Sequence, residues 1–347
     1  YIASIRAPRQ TLHCNGRVKR MRITILGGAG FLGRKLATRL AKDGALGGRA
    51  ITGLTLFDLN APASLPAPFP VTCLGGDVAD PAAVAAAIPA GTEVVFHLAA
   101  VVSAAAEANF DLGMKVNLHG TLAVLAACRA LGTRPRVIFT SSVASFGGGQ
   151  DAVVPDDGRQ IPTNSYGAQK AIGELLLHDA SRRGFLDAVN LRLPTVMVRP
   201  GRPNKAASSF VSAILREPLL GLETNCPVPD DFAVWICSPR ATIEWFLHAA
   251  AMDTAPLGLD RGINPPGLSV TVAKILSALE QVSGKAARDK VGFVFDKEVF
   301  DIVKGWPGAF AATRARRLGF KEQEPMEGII QGFIEDDLAA TKAERGI

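Results

Sequence analysis

The run Gly27-Gly28-Ala29-Gly30-Phe31-Leu32-Gly33 constrains this chain more than any other stretch. It follows the β-branched segment Arg22-Ile23-Thr24-Ile25-Leu26 and precedes a helical pattern carried by Leu36 and Leu40. Glycines between a strand and a helix permit a tight turn. They also let a pyrophosphate approach the backbone, with the helix N-terminus facing the anion. Two registers fit: Gly28/Gly30/Gly33 as G-x-G-x-x-G, and Gly27/Gly30/Gly33 as G-x-x-G-x-x-G.

The stretches that follow alternate between strand and helix. Residues 51–57 read as a strand ending in Asp58, 25 residues beyond Gly33. A carboxylate there accepts hydrogen bonds from ribose hydroxyls and repels a 2′-phosphate, which favours NAD over NADP. Arg34 and Lys35 weaken that exclusion and keep NADP open. Residues 71–78 form a further strand ending in Asp77-Val78. Residues 93–100 form a buried one that runs into the small residues of His97-Leu98-Ala99-Ala100. His97 reads as packed in the sheet rather than as a catalyst. Alternation of this kind predicts an α/β fold, a doubly wound parallel Rossmann sheet, with ligands at the carboxyl ends of the strands.

Other classes are excluded by composition. The net charge of +6 is mostly local, because Arg6, Arg9, Arg17, Lys19 and Arg20 fall in the first 20 residues with no acid. The remainder is nearly neutral and offers no nucleic-acid footprint. The first 20 residues read as a disordered extension ahead of a start at Met21. No apolar run is long enough to cross a bilayer. Cys14, Cys73, Cys128, Cys226 and Cys237 are widely spaced with no Cys-x-x-Cys, so neither a disulfide framework nor a zinc site is expected. The histidines show no metal-ligand spacing either, and a reducing cytoplasm fits this composition.

The chemistry points to Tyr166 and Lys170. They are four apart in a segment that reads as helix and therefore share a face. A phenol beside an ammonium ion ionises more easily, which a tyrosine base requires. Upstream, residues 136–147 give a strand ending in the hydroxyls of Ser141 and Ser142, with Tyr166 lying 24 residues after Ser142.

The glycine turn, Asp58, Asp77-Val78, His97-Leu98-Ala99-Ala100, Asn117 before Gly120-Thr121, Ser142, and Tyr166 with Lys170 together resemble the extended short-chain dehydrogenase/reductase family. That family also holds the nucleotide-sugar epimerases and dehydratases. The resemblance implies that Tyr166 is the acid/base and that Ser142 orients the substrate oxygen, with Ser141 as its rival. Lys170 would hold the nicotinamide ribose and depress the Tyr166 pKa. Gly27, Gly30, Phe31, Leu32, Gly33, Asp58, Asp77, Val78, Leu98, Ala99, Ala100, Asn117 and Pro194 would contact or support the cofactor.

The resemblance implies a division into a dinucleotide-binding domain at 21–195 and a smaller C-terminal substrate lobe at 196–347, with elements of the latter returning to the first domain. Nucleotide-sugar members generally carry an Arg-Asp-(aromatic)-(aliphatic)-His-Val-x-Asp run in this lobe. Here the chain has Phe232-Ala233-Val234-Trp235-Ile236-Cys237-Ser238-Pro239-Arg240 instead. The nearer resemblance is to members that oxidise the C2 hydroxyl of a four-carbon sugar acid. Such a substrate wants an arginine for its carboxylate, for which Arg199, Arg202 and Arg240 are candidates. Ser103, Asn204 and Ser208 are candidates for its hydroxyls. Trp306 reads as a core anchor. The family also implies a homodimer through the helices after Asn117 and Tyr166. The competing readings are a nucleotide-sugar epimerase or dehydratase and a non-catalytic NAD-binding scaffold.

Overall fold

The computed structural model describes residues 20–149, 152–202 and 209–347. The expected extension lies outside the described residues, except for Arg20, which opens the first strand. We label the elements that position the site as β1 (Arg20–Leu26), α1 (Phe31–Asp43), β2 (Arg49–Asp58), β3 (Val71–Gly75), β4 (Thr92–His97), α2 (Gly120–Leu131), β5 (Arg136–Ser142), α3 (Ser165–Arg182), β6 (Asp187–Leu193), α4 (Ser209–Leu219), β7 (Ala233–Cys237), α5 (Pro239–Ala251) and β8 (Gly262–Ile263).

The main sheet runs β8-β6-β5-β4-β1-β2-β3, with every neighbouring pair parallel. Only the short strand Ala45–Leu46 pairs antiparallel, against the start of β2. The order from β3 to β6 is that of a doubly wound sheet, and the direction in which successive strands are added reverses between β1 and β4. A crevice opens there at the carboxyl ends of the strands. Parallel strands covered on both faces are apolar throughout. Accordingly Ile23, Ile25, Leu56, Phe96 and Ile138 are all buried. Helix α1 turns Leu36, Ala37, Leu40 and Ala41 onto this core. It stops at Gly44, whose left-handed φ of 65° lets its N–H reach the Leu40 carbonyl.

Beyond β6 the chain builds a second layer. Thr195–Val196 pairs parallel with β7, and Leu268–Thr271 pairs antiparallel with it. Helix α4 and the helices Val272–Ser283 and Met326–Phe333 pack there around Met197, Phe210, Ile214, Ile275 and Ile330. Helix α5 and β8 belong to the main sheet, where Trp245 and Phe246 enter its core.

Candidate active site

The glycine turn is held against the sheet by two amides, since Gly27 and Gly28 both donate to the Phe57 carbonyl at the end of β2, at 2.8 and 2.9 Å. Gly27 has φ +91°, and a Cβ there would stand 2.7 Å from the Ala99 nitrogen. At Gly33 a Cβ would stand 2.1 Å from the Gly27 carbonyl oxygen. No side chain fits at either position, so the backbone itself forms the floor of a cradle. Gly30 caps α1 without a side-chain hydrogen bond, which leaves the first-turn N–H groups turned to the crevice. The cradle therefore suits a dinucleotide.

Asp58 closes its far end. One carboxylate oxygen accepts from the Ala29 N–H (2.9 Å) and the other from the Leu59 N–H (2.8 Å). Lys35 turns away and pairs with Asp337 at 2.9 Å. Asp77 accepts from the Ala79 N–H and pairs with Lys115 at 2.8 Å, and these contacts hold its carboxyl below its usual range, the Lys115 bond most. Val78 is buried against Gly120.

One cavity, of about 280 Å³, joins the cradle to the hydroxyl-bearing strand end. It brings together Gly27, Gly30, Phe31, Leu32, Gly33, Leu98, Ala100 and Ser103 from one side with Ser142, Tyr166, Lys170, Pro194 and Arg199 from the other. Asp58, Asp77, Val78, Ala99 and Asn117 lie outside its wall, while Asn204 and Ser208 lie outside the described residues.

The helix carrying Tyr166 is set by Asn164, whose side chain accepts the Gly167 N–H at 2.8 Å. Gly167 is required there because a Cβ would stand 2.0 Å from the Ala144 carbonyl oxygen. The half-buried Tyr166 phenol hydrogen-bonds with the Ser142 hydroxyl. Burial raises the phenol's pKa, while the Arg199 charge and then the Ser142 bond pull it down. Lys170 is only 1% exposed, with Nζ 4.8 Å from the Phe139 ring centre and 5.6 Å from that of Tyr166. Burial draws its pKa down to about 7, against a smaller opposing effect of Glu174. Arg199 is thus a second cation facing the phenol, beside the Lys170 that the sequence pointed to.

Ser141 and Ser142 are separated by their partners. The Ser141 hydroxyl donates to Glu174, whereas Ser142 accepts the Ala144 N–H at 3.1 Å and faces Tyr166. Glu174 is fully buried and also takes Arg192 Nε (3.0 Å) and Gln160 Nε2 (2.9 Å).

Three expectations change. Arg240 faces away from the cavity, its guanidinium held by Asp336 (2.6 and 2.8 Å) and Glu335 (2.8 Å). It fastens α5 to the C-terminal helices and is not free for a substrate. Asn117 lies in the π-helical turn Met114–His119, with every amide atom engaged: Oδ1 accepts from Val101 N, while Nδ2 donates to Val101 O and Gln169 Oε1. Its support of the crevice is thus indirect, through the loop after β4. Trp306 packs on the second core, as expected of an anchor, but also lines the catalytic cavity.

His97 is buried between Thr121 and Phe139, and its pKa is pushed to about 3 by burial and then by Lys170. It stays neutral in the sheet. Among the described residues no group of three or more His, Cys, Asp or Glu could hold a metal ion, and no helix is long and apolar enough to cross a membrane.

Comparison with known proteins adds to this geometry. The model of the NAD dependent epimerase/dehydratase family matches residues 23–235. The chain is 50% identical over 320 residues to D-erythronate dehydrogenase of Cupriavidus necator, covering 91% of this chain and 98% of that one. It is 42% identical over 319 residues to D-erythronate dehydrogenase of Haemophilus influenzae, covering 92% and 100%. Among solved structures, a nucleoside-diphosphate-sugar epimerase from Agrobacterium tumefaciens superposes with a TM-score of 0.88 at 42% identity, over 98% of both chains.

Proposed function

Because the chain belongs to the NAD dependent epimerase/dehydratase family, we infer that it oxidises the C2 hydroxyl of a small sugar acid, D-erythronate, to the 2-oxo acid with NAD. The observation that carries this is the meeting of Tyr166, Ser142 and Arg199 in the cavity that ends the glycine cradle. Arg199 has no carboxylate partner among the described residues, and it faces the phenol closely enough to influence its ionisation. A guanidinium in that state suits a substrate carboxylate.

With the carboxylate on Arg199, the adjacent carbon's hydroxyl lies toward Tyr166 and Ser142. Ser142 orients that oxygen, and the Tyr166 phenolate removes its proton. NAD held by the cradle would supply the hydride acceptor for that carbon and a positive charge beside the phenol. Lys170, whose charge Glu174 supports in part against burial, would hold the adjoining ribose. Pro194 and Leu193 would wall the ring, and Ser103, in the wall of the same cavity, would meet a distal hydroxyl. Asp58, fixed by two amides, favours the ribose hydroxyls of NAD over the 2′-phosphate of NADP.

A nucleotide-sugar reading has less support. The stretch where such members carry their polar run is here β7, with Val234, Trp235, Ile236 and Cys237 all buried. Exposed Leu122 on α2, together with Ile172 and Leu175 on α3, favours pairing of two copies across these helices. The boundary proposed between the dinucleotide-binding and substrate lobes falls at 195/196.

The test is direct: protein with NAD and D-erythronate should generate NADH absorbance, and Tyr166→Phe should abolish it. Absence of NADH with any four-carbon acid, alongside turnover of a UDP-sugar, would overturn the reading.

A further inference from the structure

Behind the catalytic cavity lies a second chamber of about 220 Å³, which shares Phe31, Thr195, Val196 and Arg199 with the first. Its other walls include Arg202, Arg216, Ser209 and Ser212. The charges here do not balance. Glu217 serves both Arg216 (2.8 Å) and Arg345 (2.5 Å), so one carboxylate is divided between two guanidiniums. Arg199 and Arg202 have no carboxylate partner among the described residues.

Arg216 is 2% exposed, its Nε donating to Glu217 Oε1 at 2.8 Å and its Nη2 lying 2.8 Å from the same oxygen. Its Nη1 donates to the Arg199 carbonyl at 2.9 Å, which fixes the guanidinium in place. Ser212 Oγ accepts the Arg199 N–H at 3.1 Å, leaving its own proton to donate. With Glu217 as the one described carboxylate paired beside Arg199, Arg202 and Arg216, the chamber carries an excess of positive charge. A chamber built this way is suited to an incoming anion.

The position identifies the anion's chemistry. Phe31 is the first residue of α1, so the chamber adjoins the helix end where a dinucleotide's doubly charged pyrophosphate rests. On the α1 side, the nearest basic side chains do not supply that charge: Lys35 is neutralised by Asp337, and Arg34 lines a separate groove on the outer face.

We propose that the chamber is a phosphoryl-oxyanion site, through which Arg202 and Arg216 of the substrate lobe close on the cofactor's pyrophosphate from the side opposite α1. This rests on the dinucleotide reading above and adds that affinity for the cofactor depends on both lobes. The same oxyanion chemistry could instead come from a phosphate ester on the substrate, and the test separates the two sources.

The experiment measures NADH binding by fluorescence, without turnover, in the full chain and in Arg202→Met, which alters a side chain at the chamber's exposed mouth. Loss of one charge-assisted contact should weaken NADH by about ten- to a hundredfold. Inorganic pyrophosphate should compete with NADH in the unaltered protein and lose that effect in the variant. If NADH binding is instead unchanged while the variant loses a preference for a 4-phosphorylated sugar acid, the site is a phosphoryl site served by the substrate. If NADH binding, pyrophosphate competition and phosphoester preference are all unchanged, the proposal fails. Failure of the unaltered protein to bind NADH would reject the dinucleotide reading itself.

Discussion

Replacing Glu174 by glutamine removes one charge from a network with no access to water. Glu174 is 0% exposed and Arg192 5% exposed; the carboxylate meets Arg192 Nε at 3.0 and 3.2 Å and Nη2 at 2.9 Å. Arg192 lies over the Phe146 ring at 5.3 Å, so it has no route to solvent when its partner is neutralised. Breaking one side of such a buried pair costs about 3–5 kcal/mol, because the surviving charge remains desolvated. Replacing both sides, as in Glu174→Leu with Arg192→Met, should cost less than the two single changes summed.

The change also reaches Lys170, one turn earlier on α3. Its pKa is about 7, lowered by burial and partly restored by Glu174, so Glu174→Gln should lower it further. Lys170 then sheds its proton at lower pH, and the limb of kcat/KM that follows its deprotonation, which reports the free enzyme, moves to lower pH. Stability follows the same sign. The ordinary Lys value of 10.5 applies to the unfolded chain, which therefore binds the proton more tightly than the fold between about pH 7 and 10.5. Lys170's contribution to stability thus rises with pH across that window, and the variant extends the window downward. Urea unfolding of the two single variants and the double variant, together with pH–rate profiles, measures both effects. A Glu174→Gln protein within about 1 kcal/mol of the original, far below the buried-pair range, with a superimposable pH profile, would refute the argument.

Two further outcomes follow from the cavity walls. Asp58→Asn should lower the kcat/KM ratio of NAD to NADP by about tenfold or more, the scale of one charged hydrogen bond, in parallel assays with each cofactor. Arg199→Met should reduce kcat/KM for the sugar acid by about thirtyfold or more, as loss of a partly buried carboxylate partner entails. It should also move the tyrosine ionisation to higher pH, since the charge that most lowers the phenol's pKa is gone. A pH profile unmoved by that change would show that Arg199 does not act on Tyr166.

The cofactor half of the site was readable from sequence because its requirements are local. A turn whose backbone passes within a few ångströms of Ala99 and of itself admits only glycine, so spacing alone reveals it. Tyr166 and Lys170 share a helical face for the same reason, and the strand ending in two serines announces where that face must point. Even there, local reading stops at partners. Ser141 and Ser142 are adjacent, and only Glu174, 33 residues later, determines which hydroxyl is left for a substrate. Glu174 was itself concealed: a glutamate in a helix looks like a solvated one unless the arginine from the neighbouring strand is known to meet it.

The substrate half depends on contacts between chain segments far apart, and its candidates divided accordingly. Arg199 and Arg240 looked equivalent in sequence, as basic residues of the same lobe near prolines. Tertiary contacts separate them, because acids at 335 and 336 claim Arg240, whereas no described acid approaches Arg199. The deciding quantity is therefore the absence of a counter-charge around a fixed guanidinium. The same criterion singles out the pair Arg199 and Arg202 beside the helix that opens at Phe31. Among the described residues cations outnumber carboxylates at two adjoining cavities, which fits the proposed carboxylate at one and the proposed phosphoryl group at the other. On that proposal, assembly of the reactive site would require both lobes to hold the same two ligands at once.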